Sequence, residues 1–141
     1  METTTNETAA RLRRAVTRLN RRLRHSSLGG ISPSQASLLA SIENLGNPSL
    51  GELAIAEQVQ PPSITHLVRS MQDADLISRQ CDSDDRRCTR VQLTAKGRRE
   101  IAAIRQRKTE FLEEKLRSMS ASDRRKVEEL VGFLEKLMED S

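Results

Sequence analysis

Two stretches carry side chains whose types and spacing could do chemistry. Ser63, Thr65, His66, Arg69 and Ser70 are small polar and basic groups with no acid before Asp73. On a helix they would present hydrogen-bond donors and acceptors along one side. Arg86 and Arg87 stand side by side at the end of the polar run Asp82-Ser83-Asp84-Asp85. Guanidinium groups at a loop tip are anion ligands, because their planar fork of donors fits the oxygens of a phosphate. Other chemistries are poorly supplied. The two histidines, His25 and His66, have no Cys, Asp or Glu at metal-ligand spacing on a shared helix face, so no metal or cofactor is expected. No G-x-S-x-G turn exists to hold a nucleophile, and no enzyme is expected.

The elements around these residues are mostly helical. Leu12, Val16, Leu19 and Leu23 make one helix stripe over residues 8–25, flanked by Arg11, Arg13, Arg14, Arg18, Arg21, Arg22 and Arg24. Leu28-Gly29-Gly30 breaks it. Ser32-Pro33 opens a second helix with apolar positions Leu38, Leu39, Ile42 and Leu45, ended by Gly46-Asn47-Pro48. Ser49 and Glu52 have the spacing of a capping box for a short helix with Leu50, Leu53, Ala54 and Val59. Gln60-Pro61-Pro62 must end that helix and start another, since proline inside a helix costs about 3 kcal/mol. Ile64, Leu67, Val68 and Met71 then form an i, i+3, i+4, i+7 stripe opposite the polar set.

The period then changes from helical to alternating. Ile77, Arg79 and Cys81 alternate with Ser78 and Gln80, and Val91 and Leu93 with Arg90 and Gln92, which predicts an antiparallel hairpin tipped by Arg86-Arg87. Pairing Ile77 with Leu93 sets Cys81 opposite Thr89, so Cys88 faces the other side and an intrachain disulfide is not expected. From Thr94 a long helix carries Ile101, Ile104, Lys108, Phe111, Leu112 and Leu116. Ser120 and Asp123 open a last one with Val127, Leu130, Val131, Leu134, Leu137 and Met138.

Length and charge narrow the class. The chain has 141 residues, 35% hydrophobic and 31% charged, with no Trp or Tyr and two Phe. That fits one domain, spanning 1–141, which buries part of its apolar surface against a copy of itself. No apolar run approaches the roughly 20 residues of a membrane helix, and the polar start after Met1 has no secretory pattern, so a cytoplasmic protein is expected. Net charge is +4, with seven arginines against two acids in residues 1–30 and six basic against nine acidic residues in 110–141. A basic front and middle before an acidic end suggest a polyanionic partner.

Short helix, tight break, helix and hairpin in that order make a helix-turn-helix with a wing. A mainly α fold of about six helices plus a two-stranded wing follows. The second helix of the motif suits the major groove of duplex DNA, and the cationic tip suits the minor groove or its phosphates. At these residues a family resemblance appears. Leu50-Gly-Glu-Leu-Ala54, Ser63-Ile-Thr65, Leu76-Ile77, Asp85-Arg-Arg87 and Leu93-Thr94-Ala-Lys-Gly97 resemble the MarR family of winged-helix repressors. The resemblance implies a homodimer, held through helices near 8–30 and 98–141, with a DNA-binding lobe over 33–97. It implies a pseudo-palindromic operator and release by a small-molecule effector bound between lobe and dimerising helices. It places Arg87 in the minor groove with Asp85 orienting it, Arg86 beside them, and base contacts on Ser63, Thr65, His66 and Arg69. One departure is Asp75, which stands where the family usually has glycine and where a left-handed turn is expected. Two alternatives remain open: a thiol-based redox regulator using Cys81 and Cys88, and a winged-helix protein-interaction module.

Overall fold

The computed structural model describes residues 2–81, 84, 87 and 89–139. Six helices and one hairpin are present among them, in the order α1 (Thr5–Ser27), α2 (Pro33–Leu45), α3 (Leu50–Glu57), α4 (Pro61–Asp73), β1 (Ile77–Cys81), β2 (Thr89–Leu93), α5 (Ala95–Arg117) and α6 (Ala121–Glu139). Local chemistry sets most of the helix starts. Thr4 and Glu7 cap α1 reciprocally, as Ser32 and Gln35 cap α2. Ser49 caps α3 by accepting the Glu52 N–H at 3.1 Å, but the expected box is half formed, because the Glu52 carboxylate turns away to Arg90. Pro61 and Pro62 occupy the first two positions of α4. The α3–α4 turn needs one left-handed residue, Gln58, at φ 56°.

The core lies between α2, α3, α4, the hairpin and the first half of α5. Leu38, Leu39, Ile42, Leu53, Ile64, Val68, Met71, Ile77, Val91 and Ile101 form one buried cluster. Two expected core positions fall outside it: Leu45 is 49% exposed and Val59 39% exposed. Leu45 ends α2 and Val59 lies in the connection between α3 and α4, where the chain turns away from the core. The hairpin register is as the alternation predicts, Ile77 opposite Leu93 and Cys81 opposite Thr89. A third segment joins it that the alternation does not reveal. Ser49 bridges Arg90, and the Val91 N–H donates to the Pro48 carbonyl at 2.9 Å, so the α2–α3 connection leans on the wing.

The turn from α4 into β1 is fastened to the start of α5. Asp75 adopts φ 61°, the left-handed conformation expected where glycine is usual. The Thr94 hydroxyl donates to the Asp75 carbonyl at 2.6 Å and accepts the Gly97 N–H at 3.0 Å. The Thr94 N–H donates to the Leu76 carbonyl at 3.1 Å, and the Lys96 ammonium to the Ala74 carbonyl at 2.9 Å. Gly97 is required for this approach, since a methyl there would lie 2.1 Å from the Leu76 carbonyl oxygen.

The outer helices are thinly covered. α6 buries no residue, and Leu130, Phe133, Leu137 and Met138 are exposed along it, as are Leu12, Val16 and Leu19 on α1.

Gly97→Ala should lower stability by about 3 kcal/mol or more, because the clash is with backbone and no side chain can yield. Asp75→Val should cost about 1–2 kcal/mol and Asp75→Gly nothing, since only glycine adopts the turn freely. Urea unfolding of the three variants checks both expectations. Equal midpoints for Gly97→Ala and the parent would contradict the first.

Candidate nucleic-acid interface

The residues of α4 divide cleanly between body and solvent. Ile64, Val68 and Met71 are fully buried, while Ser63, His66 and Arg69 are exposed. This is the orientation that a reading helix needs: apolar anchors inward, polar groups outward. Thr65 departs from the expectation of a fully outward group. It is half-buried and its hydroxyl donates to the Pro61 carbonyl at 3.0 Å. The helix start is also unusual. Gln60 gives no side-chain cap, Pro61 and Pro62 have no N–H, and the Ser63 and Ile64 N–H groups both donate to the Gln60 carbonyl. A helix N-terminus normally offers free amides to an anion. Here two of the four are absent, so recognition by α4 falls to its side chains.

Polar contacts brace α3 and α4 against α2. Ser37 and Ser41 of α2 donate to the two oxygens of Glu57 on α3, at 2.8 and 2.5 Å. Gln35 reaches Ser70 of α4 at 3.5 Å. The face around α4 is a shallow open depression in which Ser63, His66 and Leu67 meet Arg24 of α1, Ser34 and Ser37 of α2, and Glu57. Arg24 and Ser34 escape a reading of the motif alone, because only the packing of α1 and α2 brings them beside it.

On the wing, Arg87 is exposed in a turn. Asp85, Arg86 and Cys88 lie outside the described residues, so the expected Asp85–Arg87 partnership lies there too. Cys81 is exposed at the end of β1. A wing residue missed by the sequence reading is Arg90. Its guanidinium donates to Glu52 at 3.1 Å and to the Asn47 carbonyl at 3.5 Å, tying β2 to the start of α3. The signal was visible in Glu52, but its spacing from Ser49 looks like a cap.

A second feature is a cavity of about 200 Å³ between α1, α2 and α5. Leu28, Pro33, Ile101 and Ile104 line it, with Arg24 and Lys108 as cations; Arg105 at its edge is paired with Glu43 at 2.7 Å.

Helix-turn-helix, wing and flanking long helices now stand in one arrangement, and it has relatives. The sequence model of the MarR family matches residues 31–89, from the start of α2 to the wing. The uncharacterized HTH-type transcriptional regulator Mb0904 of Mycobacterium bovis is 35% identical over 117 residues, covering 82% of each chain. The chain belongs to the MarR family. Among solved MarR-like folds, the transcriptional regulator Tm0710 of Thermotoga maritima superposes with a TM-score of 0.83 at 25% identity, over 96% of both chains. The HTH-type transcriptional repressor MdtR of Bacillus subtilis is 31% identical over 68 residues, 48% of this chain and 44% of its own. As a MarR-family transcriptional regulator, the chain confirms the winged-helix expectation and the mainly α architecture.

The two sides of α4 should respond differently to substitution. Val68→Ala should cost about 1–3 kcal/mol of stability through the cavity it leaves. His66→Ala and Arg69→Ala should stay within about 0.5 kcal/mol of the parent. Thermal unfolding distinguishes them, and a large loss for Arg69→Ala would mean that the polar face is not free.

Proposed function

We propose that the protein is a homodimeric, effector-responsive repressor that binds a pseudo-palindromic stretch of duplex DNA. The observation that carries this reading is the outward set Ser63, His66 and Arg69 on a helix anchored by Ile64, Val68 and Met71, beside a hairpin that bears Arg87. Base-edge contacts from α4 would supply specificity, and phosphate contacts from arginines affinity and register. Asp85 and Arg86 belong to the same proposed contact surface, with Arg87 entering the minor groove.

The dimer is supported by the exposed stripes of α1 and α6. One protomer leaves Leu12, Val16, Leu19, Leu130, Phe133 and Leu137 in solvent, a continuous cost that a second copy would remove. Two-fold pairing would set two α4 helices on successive turns of the duplex. The effector would occupy the cavity between α1, α2 and α5, which touches both a dimerising helix and the lobe that carries α4. Its apolar floor and two cations suit a small molecule. The repressor assignment rests on family membership and on the named repressor among the relatives. The protein would work in the cytoplasm, without catalysis and without a cofactor.

Arg87→Ala should weaken operator binding about tenfold or more while leaving the dimer folded, because one minor-groove guanidinium is worth about 1–3 kcal/mol. Titration of a labelled promoter fragment at two salt concentrations, with circular dichroism as the folding control, measures this. Unchanged affinity would remove Arg87 from the interface.

A further inference from the structure

We propose that the outer face of α1 is a second DNA contact, an arginine ridge that grips phosphates flanking the site read by α4. The inference rests on the DNA-binding reading above and extends it to a helix outside the winged motif.

The ridge follows from helix geometry. At 100° per residue, Arg11, Arg14, Arg18, Arg21 and Arg22 fall within an arc of about 100°, centred about 140° from the apolar stripe of Leu12, Val16, Leu19 and Leu23. All five arginines are exposed. A partner subunit that covers the stripe would therefore leave the ridge in solvent. Neutralising partners are absent among the described residues. Within α1 the one acid is Glu7, and its carboxylate is engaged at the Thr4 N–H. No ion pair to the five arginines is present among the described residues.

Like charges three or four residues apart destabilise a helix, and this ridge has four such pairs in succession, from Arg11–Arg14 to Arg18–Arg22. The helix dipole accounts for cations only in the last turn, where Arg24 and His25 sit. The ridge runs well upstream of it. A polyanion is the partner that turns this repulsion into attraction.

Charge placement says which polyanion. α1 holds seven arginines and one glutamate, a net +6, while the whole chain is +4, so the rest of the chain is net −2. The winged lobe over 33–97 holds six basic and eight acidic residues, so it brings directional groups without a positive field; α1 at +6 and the start of α5, with five basic residues and one acid over 98–109, carry the positive charge. Position agrees. Arg24, outside the arc, shares a depression with Ser63 and His66, so the last turn of α1 stands beside the reading face and the ridge runs back along the helix from that end. Counting from Arg22 to Arg11 at 1.5 Å per residue, it extends about 16 Å. Duplex DNA presents a phosphate charge about every 1.7 Å of axis, which this length can follow.

The test uses the full-length protein and the triple variant Arg14→Gln, Arg18→Gln, Arg21→Gln, none of which is buried or part of the α4 face. Binding to the protein's own upstream promoter fragment and to unrelated duplex is measured from 50 to 200 mM salt, with hydroxyl-radical footprinting. Circular dichroism and sedimentation serve as fold and assembly controls. The variant should lose affinity for both DNAs equally, its log–log salt slope should fall by about 2–3 for each bound protomer, and protection should shrink at the flanks while the centre persists. A variant with the parent's slope and flank protection would overturn the ridge alone. Parent protein that binds neither DNA would overturn the regulator reading itself, and Arg87→Ala on the same fragments separates the two cases, since it should change discrimination at the centre and leave the flanks protected.

Discussion

The structure depends on a fastening of six residues at one corner. Thr94 and Gly97 bring the first turn of α5 against the carbonyls of Asp75 and Leu76, and Lys96 takes the Ala74 carbonyl. These carbonyls end α4 and lead into β1, and the bonds they accept fix that turn to the start of α5. Three elements meet there: the reading helix, the wing and the long helix that leads away to the exposed apolar surface. Their relative angles are set by hydrogen bonds and a Cα–carbonyl contact, which tolerate little drift. The run Leu93-Thr-x-x-Gly97 is therefore a structural clasp, and it gives the reading surface its rigidity.

That rigidity matters because α4 has given up some of the usual means of holding an anion. With prolines at its first two positions and no side-chain cap, it offers few amides at its start. Its position is held by its own buried residues Ile64, Val68 and Met71 and by Gln35 on Ser70, while Ser37 and Ser41 on Glu57 and Arg90 on Glu52 brace α3, the helix before it. Each of these polar contacts is modest by itself, and exposed ion pairs contribute little to stability. Together they fix direction more than they add energy, which is what a recognition surface requires.

Much of the fold could be read from the chain. Prolines at 33, 61 and 62, the capping serines, and the stripe Ile64, Leu67, Val68, Met71 mark their helices because capping and 3.6-residue periodicity are local effects. The hairpin register followed from alternation, because a one-residue slip would turn Val91 and Leu93 to solvent. The left-handed turn at Asp75 was legible from its place in the motif. Ser63, His66 and Arg69 could be assigned to the outer face for the same periodic reason.

What lay beyond the sequence involves partners distant in the chain. Glu52 looks like half of a capping box and is in fact an ion-pair partner of Arg90, thirty-eight residues away. Thr65 has the composition of an outward contact, yet packing half covers it. Nothing local announces that the Pro48 carbonyl accepts the Val91 N–H of the wing, or that Arg24 comes to lie beside His66. Helix starts, faces and register are decided by neighbours within a few residues, so the chain alone determined them. The groups that share a surface depend on how the helices cross, which is a property of the packed core as a whole, and only the tertiary structure decided it.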